Sequence, residues 1–150
     1  MKKVLLILLM VTIVQLVWAQ NTDEKKAVER AALDYLEGFY EGDTSKLKRA
    51  IAPNLLKFGY FKGRNSTTYA SEGQMTYKEA VDYALGVKAK GRTREVPPGS
   101  VEIYEVAEHI ASAKVKAWWG FDYLLLAKHD GKWMIEHVLW QGPGERKRGN

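Results

Sequence analysis

Apolar residues in the N-terminal part of the chain recur at spacings of three and four, the pattern of a helix with one buried face. The pattern runs from Thr22 to Glu41 and predicts a long amphipathic helix, which Asn21 or Thr22 can cap. Gly42 follows and ends it. The predicted buried face consists of Val28, Ala32, Tyr35, Leu36, Phe39 and Tyr40.

Shorter elements follow the long helix. A second helix capped by Asp43 or Thr44 is predicted to end at Ala50. Leu55–Phe61 is compatible with a strand, and after a polar turn Thr67–Tyr69 is predicted to return as a short strand.

A third helix is predicted from Thr76 to Ala89. Thr76 and Glu79, three positions later, match a capping box at its start. The loop that follows contains two adjacent prolines, which a helix interior does not accept. The predicted buried face consists of Ala80, Tyr83, Ala84 and Val87.

From Val101 onward the apolar period changes to two, which predicts strands. The segments are Val101–Val106, Ala111–Ala117, Phe121–Lys128 and Trp133–Trp140, and Asp130-Gly131 is a hairpin signal between the last two. Helices that precede a run of antiparallel strands indicate an α+β fold. A curved sheet wrapped around the long first helix would bury the aromatic faces of both.

The first residues match a secretory signal. Two lysines precede the apolar run Val4–Val17, and Ala19 lies at a suitable cleavage site before Gln20. A membrane anchor is the alternative, but the run is shorter than the roughly 18–20 residues that span a bilayer. We therefore expect a signal peptide at residues 1–19, a domain at 20–142 and a basic flexible tail at 143–150. The protein is expected in the periplasm or outside the cell, without membrane contact after cleavage.

Composition excludes several functions. The chain has no cysteine, so disulfides, thiol catalysis and thiolate metal sites are absent. The formal charge is +5, and it falls to +3 when Lys2 and Lys3 are removed with the signal. The basic run Lys88–Arg94 lies at a predicted helix end, where cations meet the helix dipole favourably. We therefore predict no nucleic-acid partner.

The order of elements and several motifs resemble a known family. The order resembles the NTF2-like, or SnoaL-like, cone fold, and within it the "putative lumazine-binding" branch of small exported bacterial proteins. The resemblance covers Glu24 to Gly142, and its matching pieces are ALDYLEGFYEGDTSKLKRAIAPNL, MTYKEAVDYA, VEIYEV, ASAKVKAW and DYLLLAKHDGKWMIEHVLW. It implies a curved antiparallel sheet around the first helix. Homodimers are common in this fold, so the resemblance also implies a homodimer.

Two departures from the family pattern concern histidines. Where relatives often carry a histidine before the proline of the HPxL segment, this chain has Ala52. Where they often carry one in DYxHLAK, it has Leu125. If those histidines line a site in relatives, this chain has lost both.

Asp122 is the first candidate for acid–base chemistry, because it lies between Phe121 and Tyr123 in an apolar strand. A carboxylate there is costly to bury unless it is paired or hydrogen-bonded. By analogy, ketosteroid isomerases and epoxide hydrolases of the same fold use a pocket aspartate. The alternative is an edge or bulge residue near Gly120, satisfied by backbone amides or by a lysine such as Lys116.

His137 is the second candidate for catalysis. It alternates with Ile135 and Leu139, so it is predicted to face the same side as Trp133 and could donate a proton in a cavity. A hydrogen-bonded histidine at the edge of the core is the alternative. No pair of histidines has helical metal-ligand spacing, so we predict no metal and no cofactor.

The aromatic residues are expected to be mainly core. A minority would line the mouth of a cone cavity, where apolar walls suit a flat ligand. The candidates for ligand contact are Phe58, Tyr60, Tyr83, Trp118, Tyr123 and Trp140.

Three functions are compatible with these observations. The first is binding of a small apolar or aromatic molecule, whose identity the sequence does not specify. The second is an isomerase- or hydrolase-type enzyme with Asp122 as general acid or base. The third is a homodimeric interaction domain, with the aromatic surface around Trp118 and Trp140 as the contact. The missing histidines favour the first.

Overall fold

The structure is a computed structural model that describes residues 2–63 and 66–144, with side chains from Thr22 onward. The side chains of the predicted signal peptide and residues 145–150 of the predicted tail lie outside the described residues. In the described residues, three helices and six strands form an α+β fold, and the six strands make one curved, unclosed sheet. The predicted fold class is confirmed.

Helix α1 spans Lys2–Glu41, α2 spans Thr44–Ala50 and α3 spans Tyr77–Ala89. The predicted start of the first helix at Thr22 is wrong, because α1 already runs through the preceding residues. The sequence before Thr22 contains neither glycine nor proline, so nothing local ends a helix there.

Local side-chain contacts set the starts of α2 and α3. A carboxylate oxygen of Asp43 accepts hydrogen bonds from the backbone N–H groups of Ser45, at 2.8 Å, and Lys46, at 3.3 Å. Thr76 and Glu79 form the reciprocal capping box that the sequence predicts. These contacts satisfy N–H groups that the first turn of a helix leaves free.

The sheet has the strand order β2-β1-β6-β5-β4-β3, in which β1 and β6 are parallel and the other neighbours are antiparallel. The predicted four-strand meander is therefore confirmed. The strands are β1 (Ile51–Phe61), β2 (Ala70–Met75), β3 (Val101–Val106), β4 (Ile110–Ala117), β5 (Gly120–His129) and β6 (Lys132–Gln141).

Two strand predictions need correction. The strand predicted at Thr67–Tyr69 is wrong, since β2 follows it, and the polar sequence of β2 carries no apolar alternation that could have indicated it. Strand β1 begins at Ile51 instead of Leu55 and includes Pro53. Its ladder with β6 is irregular at this point, and a proline is tolerated where a ladder is interrupted.

The core lies between α1 and the inner face of the sheet. All six residues of the predicted α1 face are buried, so that prediction is confirmed. On α3, Ala80 and Ala84 are buried as predicted, but Val81 is buried where Tyr83 was expected, and Tyr83 is exposed. The fully buried side chains that face each other across this core include Val28, Tyr35, Leu36, Val115, Leu124, Ile135 and Val138.

Two turns fix the ends of β5. Asp130 and Gly131 both have positive φ, +48° and +78°, which is the turn that the Asp-Gly pair predicts. At the other end Gly120 has φ +136°, and a Cβ there would collide with the carbonyl oxygen of Gln141. Glycine at this position therefore allows β5 to start close against the end of β6.

Candidate ligand-binding site

A cavity of about 810 Å³ opens beside the inner face of β1, between α1, α3 and β2. Its volume lies within the range of small-molecule pockets, and most of its wall is aromatic or aliphatic. Its polar side chains other than Lys57 are Lys62, Glu72, Gln74 and Glu79. The apolar wall comprises Phe39, Phe61, Met75, Tyr83, Trp118, Trp119, Trp140 and Pro143.

Lys57 lines the cavity from β1, and its side chain points inward because Leu55 and Gly59 share its face of the strand. It is only 7% exposed. Its ammonium nitrogen Nζ donates hydrogen bonds to the Tyr35 hydroxyl, at 2.8 Å, and to Asp122, at 3.1 Å. Lys57 is thus a buried cation that contacts both the cavity and the core.

Four aromatic rings surround the ammonium group of Lys57. The rings of Tyr35, Phe39, Trp119 and Trp140 have their centroids 5.5–5.9 Å from Nζ. The negative faces of such rings attract a cation, most strongly where water is excluded. The rings therefore replace part of the hydration that Lys57 loses on burial.

Asp122 is completely buried and has a partner on each carboxylate oxygen. The Tyr35 hydroxyl donates to Oδ2 at 2.5 Å, Lys57 donates to the same oxygen, and the indole N–H of Trp119 donates to Oδ1 at 2.8 Å. A buried carboxylate is tolerated when it is paired and hydrogen-bonded in this way. Asp122 itself does not line the cavity, so Lys57 lies between it and a ligand.

The alternative reading of Asp122 as a bulge residue is wrong. Asp122 lies in regular antiparallel register opposite Val115 on β4 and Trp140 on β6, and its cation is Lys57. Lys116 is exposed. The sequence could not identify the partner, because it comes from a distant strand.

Burial changes the pKa of two residues in the cluster formed by Lys57, Asp122 and Tyr35. Burial lowers the pKa of Lys57 below its ordinary value of 10.5, although the charge of Asp122 acts in the opposite direction. Burial, together with the negative charge of Asp122, raises the pKa of Tyr35 well above 10. Tyr35 therefore keeps its proton at neutral pH and serves as a hydrogen-bond donor to Asp122.

The structure brings three of the six aromatic candidates to the cavity. Tyr83, Trp118 and Trp140 line it, and Trp118, which is 50% exposed, lies at its mouth. The other three do not line it. Side chains alternate between the two faces of the sheet along each strand. Since Lys57 and Asp122 point inward, Phe58, Tyr60 and Tyr123 point to the opposite face, where all three are exposed.

The prediction that His137 faces the same side as Trp133 is wrong. Strand β6 has a register shift between Ile135 and His137, so one extra residue, Glu136, interrupts the alternation. As a result Ile135 and Val138 are both buried, whereas His137 is exposed on the outer face. It therefore lies across the sheet from Asp122.

The two positions where the family pattern carries a histidine lie away from the cavity. Ala52 is fully buried in the core, and Leu125 is exposed on the outer face of β5. Neither lines the cavity. The loss of those histidines therefore leaves the Lys57–Asp122–Tyr35 cluster intact.

Sequence reasoning missed Lys57 as a site residue. Strand β1 carries large apolar residues on both faces, so its alternation does not indicate which face is buried. Tyr35 was predicted only as a core residue, and its polar role depends on two distant strands. In the described part of the chain, no group of three histidine, aspartate or glutamate residues could hold a metal ion.

Comparisons with known proteins agree with this fold. A model of the family described as "Putative lumazine-binding" matches residues 23–141. No curated protein matches the sequence. An NTF2-like protein of unknown function from Silicibacter pomeroyi superposes with a TM-score of 0.62 at 16% identity, covering 82% of this chain and 98% of that one.

Two further solved structures are similar. An NTF2-like protein of unknown function from Shewanella baltica has a TM-score of 0.53 at 16% identity, covering 79% of this chain and 93% of that one. One from Methylobacillus flagellatus has a TM-score of 0.52 at 18% identity, covering 81% and 93%. At these identities the likeness shows the fold alone.

Proposed function

Since the chain belongs to the putative lumazine-binding family of NTF2-like proteins, we propose that it binds a small, flat, apolar or aromatic molecule in its inner cavity. The observation that carries the proposal is the cavity of about 810 Å³ with aromatic walls and the buried ammonium group of Lys57 at its base. Apolar walls with a few polar groups that fix orientation are typical of small-molecule sites.

The wall residues suit a planar ligand. Trp119 and Phe39 stand edge to face, with centroids 5.8 Å apart, and the ring centroid of Trp140 lies 5.6 Å from Nζ of Lys57. Such rings contribute large contact areas with little conformational entropy to lose. The Lys57 N–H groups supply directed polar contact, since the ammonium has three donors and the cluster uses two.

Native mass spectrometry of protein purified from its own host tests the proposal. We expect a small molecule that is released on denaturation and lost in a Trp140→Ala variant, which removes one cavity wall. The control is Leu139→Ala, the neighbouring residue on the outer face. Protein from the host that carries no small molecule, and binds none of a panel of flat bicyclic compounds, would contradict the proposal.

A second candidate function is acid–base catalysis with Asp122. The observation in its favour is the 2.5 Å hydrogen bond from Tyr35 to a carboxylate that is closed off from solvent. Because Lys57 separates Asp122 from the cavity, the carboxylate would act on a ligand through the lysine. Deuterium exchange next to the carbonyl of bound ketones, followed by NMR in D₂O, tests this function. Exchange that is equally fast with Asp122→Asn would exclude it.

A homodimer is the third proposal, and the exposed apolar outer face of the sheet favours it. Several exposed side chains there are aromatic or leucine, and they alternate with the buried ones along the strands. Contiguous apolar surface of several hundred Å² commonly marks an interface. This face lies opposite the surface around Trp118 and Trp140 that the sequence suggested, because Trp140 points inward. It comprises Leu56, Phe58, Tyr60, Tyr104, Tyr123, Leu125 and Leu139.

Light scattering coupled to size-exclusion chromatography tests the dimer. We expect twice the mass of the chain for the wild type and the monomer mass for Leu125→Asp. Leu85→Asp is a matched control, since Leu85 is an equally exposed leucine on α3. A wild type that runs as a monomer at micromolar concentration would contradict the proposal.

We also propose that the protein is exported, on the strength of the two N-terminal lysines and the apolar run Val4–Val17. The location is the periplasm or the medium. Among the described residues, no helix is long and apolar enough to cross a membrane. Intact mass measurement of the protein from cell fractions tests the proposal, with Gln20 expected as the first residue. An uncleaved chain in the exported fraction would contradict cleavage at Ala19.

A further inference from the structure

Lys57 differs from the other paired lysines in where its amine lies. Lys46 and Lys78 bind carboxylates at or near the surface, and those hydrogen bonds raise the pKa of each. Lys57 also binds a carboxylate, but its burial outweighs the pairing and lowers its pKa. A lysine in an apolar pocket with a lowered pKa has more of its amine in the nucleophilic form at neutral pH.

The position of Nζ makes this amine accessible to a ligand. Lys57 lines the cavity, whereas its two hydrogen-bond partners Asp122 and Tyr35 do not. A ligand in the cavity therefore meets the amine directly and the carboxylate only through it. Lys57 is only 7% exposed and aromatic rings lie around its Nζ, and this limited contact with water disfavours hydrolysis of a bond formed there.

From this arrangement we infer that Lys57 forms a reversible imine with an aldehyde or ketone group of the molecule that occupies the cavity. The inference rests on the proposed function, since it requires a small molecule inside the cavity. It adds the chemical class of that molecule, a carbonyl compound with a flat apolar body.

The neighbouring groups can handle the protons of this reaction. Asp122, 3.1 Å from Nζ, accepts a proton from the ammonium, and the free amine attacks the carbonyl carbon to give a carbinolamine. One proton passes from nitrogen to the carbinolamine oxygen, and Asp122 returns its proton to that nitrogen. A second proton then passes from nitrogen to oxygen, and the C–O bond breaks as water leaves. One ammonium and one carbonyl thus become one protonated imine and one water. No oxidant or reductant is needed.

The net charge at the base of the cavity is the same before and after the imine forms. The protonated imine carries the same single positive charge as the ammonium, so Asp122 stays paired. The Tyr35 hydroxyl, 2.8 Å from Nζ and 2.5 Å from Oδ2, continues to donate to the carboxylate. The same contacts that stabilise the buried ion pair therefore stabilise the imine.

Reductive trapping of the full mature chain tests the inference. The aldehyde probe is 2-naphthaldehyde, and sodium borohydride supplies the hydride that converts an imine into a stable secondary amine. Peptide mapping by mass spectrometry then locates the label. We expect labelling at Lys57 to exceed that at the exposed Lys78 severalfold at pH 7, because burial lowers the pKa of Lys57 whereas the hydrogen bond to Asp82 raises that of Lys78.

The matched ligand without a carbonyl, 2-naphthalenemethanol, separates this inference from the proposed function. Its binding is measured by titration calorimetry. If the alcohol binds and the aldehyde labels Lys57, both are supported. If the alcohol binds but label is spread over surface lysines, the imine is overturned and the ligand cavity stands. If neither compound binds and the aldehyde does not label Lys57, the imine and the proposed ligand cavity are both contradicted for flat bicyclic ligands.

Two controls guard against misfolding. Lys57→Arg retains a cation for Asp122, so it should keep the far-UV circular dichroism spectrum of the wild type and carry no label at residue 57. Excess 2-naphthalenemethanol added to the wild type should reduce Lys57 labelling at least roughly tenfold, by mass action, and leave Lys78 unaffected. Persistent Lys57 labelling under this competition would show that the amine reacts from outside the cavity, contrary to the inference.

Discussion

Lys57 and Asp122 form a buried ion pair between two strands that are not neighbours in the sheet. Nζ of Lys57 on β1 lies 3.1 Å from Oδ2 of Asp122 on β5, and β6 runs between these two strands. Trp140, opposite Asp122 on β6, places its ring 5.6 Å from Nζ. The pair therefore ties three strands together at the base of the cavity, so stability and ligand contact depend on the same atoms.

Removal of the cation should be strongly destabilising. Lys57→Met leaves the carboxylate of Asp122 buried without its cation, and breaking a buried pair in this way costs about 3–5 kcal/mol. We expect a loss of this size in the free energy of unfolding measured by urea denaturation. The control is Lys78→Met, which removes an exposed ion pair and should have little effect.

The double variant Lys57→Met, Asp122→Leu separates the lost pair from the lost packing. Apolar residues of similar volume can replace a buried ion pair at little cost. We therefore expect the double variant to be more stable than Lys57→Met alone. A further loss on adding Asp122→Leu would indicate that the Tyr35 and Trp119 hydrogen bonds to the carboxylate matter more than its charge.

Loss of the indole donor to Asp122 should also destabilise the fold. Trp119→Phe removes the N–H group that lies 2.8 Å from Oδ1, and a hydrogen bond to a charged group contributes about 1.5–3 kcal/mol. Urea denaturation measures the change. Trp118→Phe is the matched control, because Trp118 is half exposed and makes no bond to Asp122. Equal losses in both variants would contradict a specific role for the indole N–H.

Alkaline pH should destabilise the protein through Tyr35. The unfolded tyrosine loses its proton near pH 10, whereas the raised pKa of Tyr35 keeps it protonated in the fold. Above pH 10 the folded state therefore binds more protons, and the free energy of unfolding falls as pH rises. The contribution is fully present below pH 10 and is lost as pH rises through the folded pKa.

Urea titrations between pH 8 and 11 on the wild type and on Tyr35→Phe check this dependence. The difference between their free energies of unfolding should shrink above pH 10. Tyr104, whose pKa is also raised, is present in both proteins, so its contribution cancels in this difference. Lys57 has the opposite effect on the free energy of unfolding just below pH 10.5. Because its pKa is lowered in the fold, the unfolded state binds more protons there. A difference that is constant over the whole range would contradict the prediction for Tyr35.

Two glycine-to-alanine substitutions should change the stability of the fold in opposite directions. A Cβ at Gly59 would collide with the carbonyl oxygen and the indole ring of Trp140, so Gly59→Ala must displace a cavity wall. We expect a loss of about 1–3 kcal/mol, as for other overpacked sites. Gly86 lies within α3 with open space around it, so Gly86→Ala should stabilise by about 0.5–1 kcal/mol. Thermal unfolding of both variants measures the two effects.

Elements with a strong local signal were predictable. The Asp43 cap, the Thr76–Glu79 capping box and the Asp130-Gly131 turn each depend on residues only a few positions apart, and each prediction is confirmed. Strand β2 was misplaced because its polar sequence has no period that marks a buried face.

Predictions for the site depended on which face each side chain takes. Asp122 was identified from its sequence neighbours, since an acid in an apolar strand needs a partner. The orientation of His137 was predicted incorrectly because the bulge at Glu136 is set by pairing with β5, which no local pattern encodes. Lys57 was missed because β1 is apolar on both faces.

The sequence by itself determined the fold class, the meander and the buried face of α1, because periodicity and turn chemistry act over a few residues. Only the tertiary structure decided that Lys57, Asp122, Tyr35 and Trp119 meet. These residues come from β1, β5, α1 and the β4–β5 turn, and the first three are separated by 22 to 87 positions. Contacts at that range arise from how the curved sheet packs on the helix, and burial then creates the altered acidities of Lys57 and Tyr35.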